Sequence, residues 1–217
     1  MKKIILLGLG FVLIVIALYL VFIYVPTEET MGIIQRIFYL MVPMGWLSLL
    51  AFFIVFIGSI LYLIKRESKW DILARCSAEI GIVFTTLALI VGAIWARPIW
   101  GVWWTWEPRL TSTIILWLIY AAYLLVRSYT AEEERGARFA AVVGIVGFVD
   151  IPVIALATTL WRGVHPGPLI FQGGLAPPML LTLQVSIAAF TVLYVVLLMQ
   201  RISVKNDEIE IKRLKGL

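Results

Sequence analysis

The sequence predicts an all-α integral membrane protein, a six-transmembrane-helix bundle forming one domain over residues 1–217. Three observations predict it. Hydrophobic residues make up 62% of the chain and charged residues only 14%, against about 25% charged in a soluble domain, which is too few to cover a water-facing surface. The apolar residues come in six blocks, each near the roughly 20 residues a helix needs to cross a bilayer. The blocks are apolar all round, whereas barrel strands would alternate over roughly 10 residues. In hydrocarbon only helices and closed barrels satisfy every backbone amide, so the blocks are helices.

The first block, Ile4–Val25, follows Met1-Lys2-Lys3, as a signal peptide would. It is longer than a signal h-region and no Ala-x-Ala cleavage site follows it, so it reads as a retained span. The second, Ile37–Ile64, lies between Arg36 and Lys65-Arg66. The third, Ala78–Trp95, follows Arg75, and the fourth, Leu110–Val126, lies between Arg109 and Arg127. The fifth, Phe139–Leu160, carries Asp150 near its middle, in Gly147-Phe148-Val149-Asp150-Ile151-Pro152. The sixth, Met179–Met199, ends just before Arg201. A carboxylate at mid-bilayer costs about 2.5–3.5 kcal/mol, so Asp150 is expected to face the bundle interior. It is there either as a functional group or as a neutral acid bonded to a carbonyl freed by Pro152.

Connections rich in Lys and Arg stay in the cytoplasm. Fourteen of the eighteen basic residues fall at the N-terminus, between spans 2 and 3, between spans 4 and 5, and after span 6. The other four, Arg36, Arg97, Arg109 and Arg162, fall on the opposite side. Both termini are therefore expected inside (N-in/C-in), with Thr27–Arg36, Ala96–Arg109 and Trp161–Pro178 as outer loops. The net charge of +5 follows from this bias and does not point to nucleic acid. One cysteine, Cys76, excludes an internal disulfide. With no CxxC or CxxCH, the chain is neither a thiol oxidoreductase nor itself a c-type cytochrome.

The outer loops hold the unusual residues. In Trp100-Gly101-Val102-Trp103-Trp104-Thr105-Trp106-Glu107-Pro108-Arg109-Leu110-Thr111, four tryptophans fall within seven residues. An aromatic belt at the membrane interface explains single tryptophans. It does not explain their concentration here, or Glu107 and Arg109 beside them. A flat platform of indoles suits the face of a large planar apolar ligand. Arg suits anionic groups on its rim, because its planar fork matches carboxylate geometry. A porphyrin with two propionates meets both demands, while a quinone or an isoprenoid meets only the first.

This stretch resembles the WWD signature, Trp-Gly-x-x-Trp-x-Trp-Asp-x-Arg-Leu-Thr, of the tryptophan-rich haem-handling proteins of cytochrome c biogenesis. Glu107 stands where that signature has Asp. Six spans, with the motif between spans 3 and 4, resemble the cytochrome c maturation protein C family, also called haem exporter protein C. Arg36-Ile37-Phe38-Tyr39-Leu40-Met41-Val42-Pro43 and Trp161-Arg162-Gly163-Val164-His165 are similar to further segments of that family. The resemblance implies a subunit that binds haem b at the outer face of the cytoplasmic (inner) membrane and delivers it to a membrane-anchored haem chaperone. It also implies association with ABC-type ATPase and permease subunits and a small accessory membrane subunit. The chain has no GxxxxGK[ST] segment, so ATP hydrolysis is expected of a partner, not of this subunit.

The resemblance further implies two axial histidines flanking the tryptophan loop. His165, the only histidine, matches the second. The first is replaced by Met41 in Met41-Val42-Pro43. Met ligates haem iron in some cytochromes and is an ordinary apolar filler elsewhere; the residues leave both readings open, with Met44 one turn on as the fallback. Trp100, Trp104, Trp106, Glu107 and Arg109 are the expected haem contacts. Arg36 and Arg97 are either propionate partners or interface anchors. Three other readings are weighed against this one. A haem–apocytochrome c ligase of the same superfamily is longer. A haem-translocating pathway would use Asp150 as a lining residue. A respiratory b-type subunit would carry histidine pairs within its helices.

Overall fold

The computed structural model describes residues 2–130, 133–161, 165 and 174–215. Arg162 and the segment 166–173 therefore lie outside the described residues. Among the described residues seven α-helices follow in order: α1 (Lys2–Tyr19), α2 (Phe38–Lys65), α3 (Ser68–Trp100), α4 (Pro108–Tyr129), α5 (Glu133–Phe148), α6 (Asp150–Leu160) and α7 (Pro177–Leu214). A π-turn (Leu20–Tyr24) extends α1, and a 3-10 turn (Ile33–Ile37) leads into α2. Among the described residues the only strand-like pairing is an isolated bridge between Glu28 and Gly32. Among the described residues six helical stretches are long and apolar enough to cross a membrane, and each contains or overlaps one of the six expected blocks.

The helices outrun the blocks where polar residues remain helical. α3 starts at Ser68, ten residues before Ala78, and its first turns bury Asp71 against Arg127. α7 runs fifteen residues past Met199. Hydropathy measures preference for lipid, whereas Lys, Glu and Arg are good helix formers in or out of it. The fifth span is two helices, not one. Pro152 has no N–H and its ring crowds the carbonyl of Phe148; the chain breaks at Val149, whose N–H turns to Val146 O (3.1 Å). Asp150 opens α6 at this break, half-buried, with its Oδ2 buried and without a hydrogen-bond partner.

α2 and α3 form the most intimate pair, and small residues let them approach. A Cβ on Gly81 would come within 2.6 Å of the Phe52 ring, and one on Gly58 within 3.1 Å of Ala74. α4 and α5 pack beside them and α7 on their other flank, with α1 lying mainly against α7. Buried polar groups join the layers. Ser77 donates to Ala51 O at 2.7 Å and pairs with the Tyr194 hydroxyl at 2.7 Å, tying α2, α3 and α7. Trp117 Nε1 donates to Thr86 Oγ1 at 2.9 Å, tying α4 to α3. Phe52 stacks on Tyr120, with ring centroids 3.8 Å apart.

At the end of the bundle away from the tryptophans, Glu79 binds Arg201 (2.5 Å) and Arg75 (3.5 Å). Arg201 also reaches Glu208 (3.0 Å). Glu79 is thus an ion-pair partner joining α3 to α7.

Candidate functional site

The tryptophan-rich segment lies partly on helix. α3 continues through Ala96–Trp100, so Arg97 and Trp100 belong to its last turn and the loop proper is 101–107. Gly101 ends the helix in the left-handed region (φ 77°), which a glycine adopts without a Cβ penalty, and its N–H closes on Arg97 O at 3.0 Å. Pro108 then starts α4 at the first helical position, where a missing N–H costs nothing.

His165 comes to this loop from the far side of α6. Its ring Nδ1 contacts Glu107 Oε1, and its backbone N–H donates to Glu107 Oε2 at 3.3 Å. The Trp100 ring meets the imidazole edge-on, at 4.8 Å between centroids and 70° between planes. Trp95 meets Trp100 in the same way, at 5.2 Å and 86°. The His165 and Glu107 side chains are 17% and 8% exposed. Burial holds the imidazole pKa below its ordinary value, against the opposing pull of the Glu107 hydrogen bond and charge. The neutral imidazole is the form that binds metals. Among the described residues no three His, Cys, Asp or Glu side chains converge, so this acid–imidazole pair is not part of a protein-only metal cage.

The other expected residues are placed as follows. Trp104 is half-buried and Trp106 is 78% exposed, and the two stand edge-to-face at 5.8 Å and 78°. They do not make a flat platform. The negative face of one indole attracts the positive edge of the next, so clustered indoles favour this arrangement. Arg109 is exposed in the first turn of α4, close enough to act electrostatically on Glu107 and His165. Arg97 donates to Gly101 O, closing its own helix end. Arg36 donates from Nη1 to Phe22 O at 2.7 Å, serving a carbonyl of the π-turn that ends α1, while its Nε is buried without a partner. Met41 lies in the first turn of α2, half-buried, its sulfur 3.6 Å from where a Cβ on Gly92 would be. Gly92 precedes Trp100 by about 12 Å along α3. Met44 packs into the core with Leu47 and Phe84.

Three polar residues of this end escaped the sequence reading. Trp95 is 4% exposed with an unpaired indole N–H; the sequence places it at the end of a span, with a loop beginning behind it. The Thr105 and Thr111 hydroxyls are also buried and unpaired, as is Trp104 Nε1. With Arg36 Nε, these make five of the nine buried side-chain polar atoms that lack a partner among the described residues. Native proteins seldom leave such groups unpaired.

The heme exporter protein C family model matches residues 2–215. The chain belongs to that family. It is 34% identical over 195 residues to heme exporter protein C of Bradyrhizobium diazoefficiens, covering 88% of this chain and 73% of that one. It is 33% identical over 200 residues to the Rhodobacter capsulatus protein of that name, covering 90% and 81%. A Marchantia polymorpha relative, described as a putative cytochrome c biosynthesis ccmC-like mitochondrial protein, is 32% identical over 170 residues, covering 78% and 72%. Family membership and six apolar helices together make the chain a multi-pass membrane protein.

Proposed function

We propose that this chain holds haem b at the outer face of the cytoplasmic membrane and passes it to a membrane-anchored haem chaperone for cytochrome c maturation. The observation that carries the reading is the single imidazole of the chain, half-buried, clamped by Glu107 and flanked by Trp100 where the tryptophan-rich loop meets α4. The names of the relatives supply the haem and the pathway. The residues present fit such a cargo. His165 offers a nitrogen donor to iron. The indoles of Trp100, Trp104 and Trp106 offer apolar surface. Arg109 and the unpaired donors of Trp104, Thr105, Thr111 and Arg36 suit the propionates. Arg97 is a further propionate partner once released from Gly101. Met41 is proposed as the second iron ligand on the strength of the family resemblance. ABC-type ATPase and permease subunits and a small accessory membrane subunit are the proposed assembly partners, with ATP hydrolysed by the partner.

The first test is haem content. The purified protein, with its absorbance recorded before and after reduction, is expected to show the bands of a b-type haem. Replacing Trp104 and Trp106 together with Ala is expected to lower bound haem severalfold while the protein stays in the membrane, because spanning is set by the apolar helices. Undiminished haem in that variant would return the tryptophans to an aromatic belt.

Orientation is tested separately. The basic bias places Gly174 outside and Glu134 inside, and both residues are exposed. A cysteine at Gly174 should label with an impermeant thiol reagent in intact cells and one at Glu134 should not. Native Cys76 is buried, so the background is low. The opposite labelling pattern puts the site on the wrong face for this function.

A further inference from the structure

Glu107 sits where helices place a carboxylate to cap their first turn, immediately before Pro108. It makes no side-chain cap bond. Its two oxygens turn instead to one residue 58 positions away: Oε1 to the ring Nδ1 of His165 and Oε2 to the backbone N–H of the same residue. A carboxylate 8% exposed needs strong compensation, and here part of that compensation comes from the one imidazole of the chain. The grip is two-point, so it sets the ring's rotation as well as its place. Trp100, edge-on at 4.8 Å, borders the ring.

We infer that Glu107 is the positioning residue of the iron ligand, a role that rests on the reading of His165 as that ligand. The carboxylate accepts the Nδ1 proton, which fixes the tautomer and leaves the Nε2 lone pair for iron. Ligating histidines elsewhere are held in this way, by a carboxylate on the nitrogen that faces away from the metal. The hydrogen bond also enriches the imidazole in electron density, which favours ferric over ferrous iron and lowers the reduction potential. Glu107 thus acts on haem through His165, and it ties the segment after α6 to the start of α4.

The experiment uses the full-length protein purified with haem. Glu107→Gln removes the charge and is expected to raise the haem reduction potential and weaken haem binding about 10- to 100-fold. Glu107→Asp, which keeps the charge on a shorter arm, is expected to recover part of both. A second measurement does not depend on the attached ligand. In His165→Gly, added imidazole is expected to restore the ligated spectrum, and 1-methylimidazole, which has no N–H for Glu107, to do so at tenfold or higher concentration. With Glu107→Ala added, the two compounds should become equivalent. Equal rescue with Glu107 intact, or a Glu107→Gln protein with wild-type potential, overturns the inference while leaving His165 as ligand. A haem spectrum that survives His165→Ala overturns the ligand assignment, and this inference with it.

Discussion

Replacing His165 with Ala is expected to abolish stable haem binding, with a loss of affinity beyond the roughly 10- to 100-fold that follows loss of an outer-shell partner. No other imidazole exists in the chain to take its place. The variant should still insert and fold, because His165 touches the loop and helix ends and not the core clusters around Phe52 and Leu47. Absorbance of the purified protein, with and without reductant, reads the outcome. Met41 is resolved in the same spectra. If its thioether ligates iron, the ferric wild type should show the weak near-infrared charge-transfer band of His/Met haem. Met41→His should then give a bis-histidine spectrum, and Met41→Leu should open the site to carbon monoxide. If Met41 only packs against Gly92, Met41→Leu should leave the spectrum unchanged and cost less than about 1.5 kcal/mol in stability, since the two side chains are close in volume. Full haem occupancy in His165→Ala is the result that removes the proposed site.

Six spans were legible because hydropathy reports the cost of placing each residue in lipid. The same scale misses helix that continues into water, as α3 does from Ser68 and α7 does to Leu214. The break at Val149 had a visible cause in Pro152, but the apolar run conceals it, since Phe148 and Val149 suit lipid whether or not their carbonyls are bonded. The tryptophan loop was legible from composition. Its geometry was not: a count of indoles carries no interplanar angle, and Trp104 and Trp106 stand near perpendicular rather than coplanar. The Glu107–His165 contact joins residues on opposite sides of two spans. Nothing local in either segment announces it, since an acidic residue before Pro108 reads in sequence as an ordinary helix cap. Arg36 and Arg97 were legible only as alternatives. The sequence leaves each open as a propionate partner or an interface anchor, and in the structure each makes a backbone contact at a helix end.

Arg127 illustrates how a rule can be obeyed for a reason it does not contain. The charge bias counts it among the basic residues that hold a connection inside. In the structure its guanidinium meets Asp71 as a two-point fork, Nε to Oδ1 at 3.1 Å and Nη2 to Oδ2 at 2.5 Å, with the side chains only 7% and 10% exposed. This pair joins the last turn of α4 to the first turn of α3, and it sits beside Tyr62 and Tyr123 at the end of the bundle away from the tryptophans. Removing one partner of a buried pair strands the other charge, at a cost of about 3–5 kcal/mol. Arg127→Leu is therefore expected to lower the thermal midpoint of the purified protein by about 6–20 °C, taking roughly 2–4 °C per kcal/mol for a chain of this size. Asp71→Leu combined with Arg127→Leu should recover most of the loss, because replacing both charges with apolar groups is often neutral. The exposed α5 pair Arg138–Glu134, at 54% and 80%, is a control: Glu134→Gln should shift stability by less than about 1 kcal/mol. Haem spectra of all these variants should match wild type, since none touches His165 or Glu107. An Arg127→Leu protein that melts with the wild type would mean that the fork forms without holding α3 to α4; a double variant no better than Arg127→Leu would mean that Arg127 stabilises through contacts other than Asp71.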